Sequence, residues 1–298
     1  MEQAKDGAKQ PVEFHPYSKI DKVLVFAFDR IEEVYKTKNP LTGLPSGFHV
    51  LDDMTTGFQP ADFVIIGSRP SVGKTILALN MTAHIAFRER RPVAFFSMEM
   101  PGIVFAQCLI SGESLVEARK MRNGLLIQDD FRRIVDVIGT MLDAPLFLVD
   151  ESNMKLHDLC LRIRELRARE DVEIVFIDCL ERIGFENSLL PRHEQISEIS
   201  SSLKNLAWEL QIPIVLLCEL KREISRSEPI FASLGEFVSI ERDADLVMFL
   251  NRKPQDAEEG SPVDSIPTEL IIAKQRNGPM GRIDLVLRSE YMRFVPLA

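Results

Sequence analysis

Residues Ser68 to Thr75 read SRPSVGKT. A glycine at 73, a lysine at 74 and a hydroxyl at 75, in that order, are what a chain needs to wrap a polyphosphate. The glycine lets backbone N–H groups approach, the lysine meets the charge and the hydroxyl reaches Mg²⁺. Ser71 and Val72 complete the loop whose amides would face the phosphates. The usual spacing, G-x-x-x-x-G-K-[ST], is missed at its first place, where Ser68 stands and Gly67 comes one residue early. The run follows an apolar strand-like stretch, Phe63 to Gly67, and leads into an apolar-periodic segment from Ile76. Strand, loop and helix in that order are the setting this chemistry requires.

Cleaving a terminal phosphate needs a further carboxylate directed at the metal, at the end of a hydrophobic strand, and a base that orients water. Two strand-like runs end in acids: LFLVDE at Asp150 and Glu151, the better match by pattern, and IVFID at Asp178. Spacing does not choose between them. The metal-bearing strand is expected beside the loop-bearing strand, but one sequence does not give strand order. For the base, Glu99 stands just beyond PVAFFS in SMEM, and Glu151 is the other candidate. Most glutamates are plain surface carboxylates, whereas the carboxyl ends of sheet strands favour function. Lys274 and Arg276, two apart in AKQRNGPMG, leave one face of a strand end. They could stabilise charge on a γ-phosphate held by a neighbouring subunit, or form an edge-strand pair that deters aggregation.

The elements that must position these groups alternate. Short β-branched or aromatic runs at Phe63–Gly67, Val93–Ser97, Leu146–Val149, Ile174–Asp178, Ile214–Cys218 and Leu246–Leu250 are separated by longer helical patterns. The pattern predicts an α/β fold with a mostly parallel twisted sheet flanked by helices. One such helix, Glu194–Leu210, carries an apolar stripe at 196, 199, 203, 206 and 210. After residue 250 two strands without helices, Glu269–Lys274 and Arg282–Leu287, joined at Asn277-Gly278-Pro279, predict antiparallel edge strands at the C-terminal end. Lys253 to Pro267, rich in proline and acids, reads as a mobile loop. Ahead of the sheet, residues 1–17 read as a flexible tail. Residues 18–40 read as a helix with Ile20, Leu24, Ala27, Phe28, Ile31 and Tyr35 on one face. Ser18 and Asp21 resemble a capping box there, and Asn39-Pro40 ends it. Its apolar face could pack on its own core or on a neighbouring subunit. Residues 41–298 then form the main domain.

The 298 residues carry a formal net charge of −9. That argues against a generally basic surface for coating nucleic acid, though not against a small basic patch. Arg162, Arg164, Arg167 and Arg169 share helical spacing with Leu159, Ile163 and Leu166 and read as a solvated helix face. No apolar run approaches the ~20 residues of a membrane span, and the polar start MEQAKDGAKQ is unlike a signal peptide, so a cytoplasmic protein is expected. Cys108, Cys160, Cys179 and Cys218 lack C-x-x-C spacing and read as free or buried thiols.

From about Ser18 onward the chain resembles the helicase domain and preceding linker helix of DnaB-type bacterial replicative helicases, a RecA-like P-loop ATPase family. The matching blocks, in order, are TGLPSGFHVLDDMTTGF, SRPSVGKT, FSMEM, IDCLERI, SEISSSLKNLAWEL, SIERDAD and IIAKQRNGPMG. The resemblance implies ATP and Mg²⁺ as cofactors, with Lys74 and Thr75 on phosphates and metal. It makes Asp178 the metal-directed acid, Glu99 the catalytic base and Asp150 structural, and has Lys274 and Arg276 act in trans. It also implies a homo-oligomeric, hexameric ring with single-stranded DNA in the channel and the linker helix docked on the next subunit. The family's N-terminal primase-binding domain has no counterpart here, so contact with primase or a helicase loader would fall to other domains.

The departures are specific. Where the family has Ser-Gln, the glutamine sensing the γ-phosphate, this chain has Cys218 and Glu219, and a carboxylate there repels phosphate unless protonated or metal-bound. Cys179 and Glu181 replace a Tyr and a Gln. The DNA-contacting stretch, typically DLRESGSIE, reads ASLGEFVSIE, with Gly235 in place of the arginine and Phe237-Val238 in place of Ser-Gly. Between Glu219 and Glu241, five acids face three bases, Lys221, Arg222 and Arg226, which does not attract DNA. Arg222, Arg226, Glu236 and Phe237 are the DNA-contact candidates, Phe237 through base stacking. The resemblance as a whole implies an ATP-hydrolysing helicase or translocase, and the departures motivate a rival. The alternatives are a degenerate paralogue that binds nucleotide without unwinding, or another RecA-like ATPase such as a recombinase or clock-type enzyme.

Overall fold

Runs such as FVII and IVFI have no polar member, so as strands they must be covered on both faces, the condition of a parallel sheet with helices on either side. The computed structural model of the chain describes residues 19–185, 190–220, 238–253 and 265–297. Its strands are β1 (Phe63–Ser68), β2 (Val93–Ser97), β3 (Leu146–Asp150), β4 (Ile174–Asp178), β5 (Ile214–Glu219), β6 (Leu246–Arg252), β7 (Ser265–Gln275), β8 (Gly281–Arg288) and β9 (Arg293–Pro296). The helices are α1 (Ile20–Thr37), α2 (His49–Thr55), α3 (Lys74–Ala83), α4 (Gly102–Ser114), α5 (Ala118–Asn123), α6 (Gln128–Met141), α7 (Leu156–Glu170), α8 (Arg192–Leu210) and α9 (Val238–Asp243).

Among the described residues the strands form one nine-stranded sheet in the order β3-β2-β4-β5-β1-β6-β7-β8-β9. The first six pair parallel and the last three are added antiparallel, as the change of pattern after residue 250 predicts. The register sets Ser68 opposite Glu219, and Ser97 between Asp178 and Asp150, so the strand-end acids gather along one edge of the sheet. Crossover helices bury apolar faces on both sides. Leu77, Met81 and Phe105 pack on one face with Phe95 and Phe176, while Ile163, Ile199 and Leu203 cover Leu216 and Phe249 on the other. The Phe95 ring meets Phe105 edge-on at 4.8 Å and stacks on Phe176 at 6.0 Å. Such pairs add about 0.5–1.5 kcal/mol each beyond area burial.

Four local expectations change. Ser265 to Pro267, read as loop, is strand: it opens β7 and pairs with Val286 to Arg288. β9 has no counterpart in the sequence reading, being only four residues long. The N-cap of α1 is Lys19, with no side-chain bond, whereas Ser18, expected to cap it, lies outside the described residues; Asp21 accepts from Lys22 N–H at 2.8 Å. Lastly, β5 stands between β1 and β4, so the strand ending in Asp178 is not beside the loop-bearing strand. The tail 1–17 and most of the 253–267 loop lie outside the described residues.

The chain divides into two units, up to Thr42 and from Gly43. In the first, α1 ends where Lys38 turns left-handed at φ 54°, and Ile20, Leu24, Phe28, Ile31 and Tyr35 are each 60–70% exposed. None of the described helices is long and apolar enough to cross a membrane.

Candidate nucleotide site

The site grows from the end of β1. Ser68, its last residue, is buried and turns its hydroxyl onto the Arg69 carbonyl at 2.8 Å. Ser71 and Gly73 then take left-handed backbone, φ 64° and 110°, which folds the loop back over the start of α3. Only glycine suits position 73: besides the positive φ, an added Cβ would lie 3.1 Å from the Phe294 ring and 3.2 Å from Leu287. Val72 inserts its side chain into the core, leaving its backbone for the loop's surface. Arg252, at the end of β6, donates to the Ser71 carbonyl at 3.3 Å. α3 opens at Lys74, and the first N–H groups of a helix attract anions.

Lys74 is 7% exposed, and its Nζ lies 3.9 Å from Asp178 Oδ1. Thr75 Oγ1 donates to Asp178 Oδ2 at 2.7 Å, while the buried Oδ1 has no hydrogen-bond partner among the described residues. Burial pulls the Lys74 ammonium down, but Asp178, Cys179 and Glu181 outweigh it and hold its pKa above the ordinary lysine value. In a simple ion pair the carboxylate would move down, yet Asp178 moves up. Burial raises it more than Lys74 and the Thr75 hydroxyl lower it, and Glu99 and Glu181 add repulsion. A buried cation, a hydroxyl and an acceptor with an open lone pair, all at a helix N-terminus, fit a metal-bound polyphosphate.

Glu99, beyond β2, comes within a thiol hydrogen bond of the same place: Cys179 Sγ lies 3.6 Å from Glu99 Oε2. Glu99, Asp178 and Cys179 bring their ligand atoms within 4.8 Å of one another. Burial, then Glu181, pushes the Cys179 thiol far up, so it serves as a donor. Glu219 lies across from Ser68, and its N–H donates to Glu181 Oε1 at 2.8 Å. The Cys218 thiol is pushed up to about 12 by burial and then by Glu181. The loop, Glu99, Met100, Val104, Asp178 and Glu219 enclose a cleft of about 460 Å³, within the roughly 300–1,000 Å³ usual for small-molecule sites.

Asp150 stands apart from this cleft. Its Oδ2 accepts from Gly102 N–H at 2.7 Å, which caps the start of α4. Glu151, next to it, is exposed at the edge strand's end. Geometry thus separates the two acid-ended strands that pattern could not. Lys274 and Arg276 also lie away from the cleft. Lys274 Nζ donates to the carbonyls of Glu241 and of Ala244, the latter at 2.7 Å, closing the end of α9. Burial and then Arg276 lower its pKa. Arg276 donates to the Arg242 carbonyl at 3.0 Å and pairs with Asp245 at 3.3 Å. Arg222, Arg226, Glu236 and Phe237 lie outside the described residues. Arg252 had no sequence signal of its own, and Asp245 had only its place at the end of the SIERDAD block. Glu181 had one, as a departure inside the IDCLERI block.

A loop of this shape at the carboxyl edge of a strand order β3-β2-β4-β5-β1-β6, with its acid two strands away, defines a RecA-like P-loop nucleotide-binding domain. Residues 43–296 match the DnaB-like helicase C terminal domain. The chain belongs to that family. It is 45% identical over 265 residues to the replicative DNA helicase DnaB of Treponema pallidum, covering 89% of this chain and 58% of that protein. It is 35% identical over 285 residues to DnaB of Geobacillus stearothermophilus, covering 94% and 62%. The chain thus spans about three fifths of these relatives' length. Among solved structures, the ATPase domain of G40P superposes with a TM-score of 0.86 at 30% identity, covering 95% of this chain and all of that one. A DnaB-like replicative helicase, described with its interactions with primase, gives 0.83 at 30% identity, covering 95% and 68%.

Proposed function

We propose that this chain is the ATP-hydrolysing, ring-forming part of a replicative-type DNA helicase or translocase that moves on single-stranded DNA. The observation that carries the reading is the Lys74–Asp178–Thr75 cluster at the N-terminus of α3, closed over by Glu99, in a chain of this family. Ser71, Val72 and Gly73 offer backbone N–H groups to the phosphates, and Lys74 neutralises them. Thr75 and Asp178 would hold Mg²⁺, which would withdraw charge from the phosphate oxygens. Glu99 aims the attacking water and takes up its proton.

Arg276 cannot serve its own cleft. It sits where β1 begins, and the loop lies where β1 ends, five residue steps or about 16 Å away along the strand. A cation there completes a site only on another copy, which supports action in trans by Arg276 and Lys274 and a homo-oligomeric, hexameric ring. The exposed face of α1 suits docking on a neighbouring copy. Primase or a loader would bind through other parts of the protein.

Steady-state ATP turnover, with oligomer size followed alongside, tests the reading. Lys74→Ala should lose nucleotide binding. Glu99→Gln should bind ATP and turn over on the order of a hundredfold more slowly. Single-stranded DNA should stimulate the unaltered chain. Normal turnover in Glu99→Gln removes that residue's role. Glu219 in the phosphate-facing position favours a second reading, a paralogue that binds nucleotide as an assembly module, and turnover indifferent to DNA would select it.

A further inference from the structure

We infer that Asp245 is a positioning residue for Arg276, tying the cation offered to the next subunit to the strand that carries its own subunit's phosphate loop. The inference rests on reading Arg276 as a trans-acting cation.

Asp245, just before β6, divides its carboxylate between two duties. Oδ2 accepts from Phe63 N–H, the first residue of β1, at 2.8 Å and from Lys204 Nζ of α8 at 2.6 Å. Oδ1 lies 3.3 Å from Arg276 Nη1. The backbone repeats both links: Asp245 N–H donates to the Phe63 carbonyl, and Arg276 N–H donates to the Asp245 carbonyl, each at 2.9 Å. Lys204 extends the grip to the Ala61 carbonyl at 3.0 Å. The Asp245 side chain is 13% exposed, whereas that of Arg276 is 46% exposed. One side of the guanidinium is thus held and the rest faces outward.

Each link has a consequence for chemistry. An unrestrained arginine samples many rotamers, and a cation that must meet a developing charge works best when already placed. β1 is paired on both sides, to β5 and β6, so it transmits position between its ends. One end is the phosphate loop and the other is fastened to Asp245. Arg276 is therefore referenced to its own subunit's loop. Its second tie, to the Arg242 carbonyl, fastens it to α9, the helix that follows the candidate DNA-contact segment.

The test is a double-mutant cycle on turnover by the assembled chain, with melting and oligomer size measured for each variant. Arg276→Ala should lower kcat on the order of a hundredfold. Asp245→Asn keeps an acceptor for Phe63 N–H but loses the charge that holds the guanidinium. It should lower kcat about tenfold, with KM for ATP within about twofold, because the arginine acts on the transition state and not on binding. The pair together should be no slower than Arg276→Ala alone. Lys204→Gln, which removes a partner of Asp245 Oδ2 but leaves the Oδ1–Arg276 pair and the Phe63 N–H bond in place, should lower the melting temperature and leave kcat within about twofold. Asp245→Glu, which retains the charge and displaces it by one methylene, should show the same kcat loss and replaces Asp245→Asn should that variant not fold. Losses that multiply in the double variant overturn the inference, as does a normal kcat in Asp245→Asn beside a crippled Arg276→Ala. Normal turnover in Arg276→Ala overturns the trans-acting reading itself.

Discussion

Glu219 lines the cleft with Glu99 and Asp178, so three carboxylates surround the place assigned to a triphosphate. Like charges at short range in a partly dry cleft repel strongly, and nothing about Lys74 alone cancels all of them. Glu219→Gln should therefore tighten ATP binding, by about tenfold in Kd by equilibrium titration. Unchanged affinity would mean that this carboxylate stays clear of the phosphates. Asp62 makes a different residue-scale prediction. Burial pushes it up from 3.8 to about 6, against the Gln59 N–H and Lys204 and with Asp245 adding to the rise. The folded chain thus holds this proton more tightly than the unfolded one. The corresponding stability is present below pH ~4 and is lost as the pH rises through about 6. The melting temperature of Asp62→Asn relative to the unaltered chain should climb between pH 4 and 7, and a flat difference would contradict the role of burial. At this scale the placing of Lys74 and Thr75 at a helix start directly after a strand and loop was legible, because it follows from neighbours a few residues away. Asp245 was not, because its anchor Phe63 is 182 residues distant in the chain.

Strand order decides what the acid-ended strands do. β3 is an edge strand, so Asp150 meets only the start of α4, while β4 delivers Asp178 to α3. Asp150→Ala should cost about 1 kcal/mol of stability through the lost cap and leave turnover intact. Asp178→Asn should keep its fold, a neutral group suiting a buried position, and lose on the order of a hundredfold in kcat. Thermal melting and turnover on both variants check the assignment, and the reverse pattern would return the metal to β3. The strands of the parallel sheet were readable because each is a continuous apolar run. α8 was readable because its stripe at 196, 199, 203, 206 and 210 holds one face, the first four buried and Leu210 partly so. Adjacency was not readable, since parallel neighbours are joined through helices and the chain can cross over to either side. Nor was β9, where four residues give no period. The helical pattern of α1 showed plainly, though the N-cap of the described helix, Lys19, falls one residue later than the signal at Ser18, and Asp21 bonds to the next residue's N–H.

Among the described α-helices, α1 is the one with no buried residue, although its apolar positions repeat as faithfully as those of α8. An exposed face of this width is costly in a free chain and suits a subunit contact. Phe28→Asp should disperse the oligomer. Removing one such side chain from an interface costs about 2 kcal/mol, roughly thirtyfold in Kd per contact. Light scattering against concentration measures it, and an undiminished assembly would assign that face elsewhere. The net charge of −9 adds that any association with DNA would have to come from a local surface and not from the molecule's overall field. Phe294 and Leu287 press on Gly73, and Asn80 of α3 clasps β9 through Met292 and Phe294. The loop that opens α3 is thus braced from the far edge of the sheet, so its shape depends on strands more than 200 residues further along the chain being docked against it.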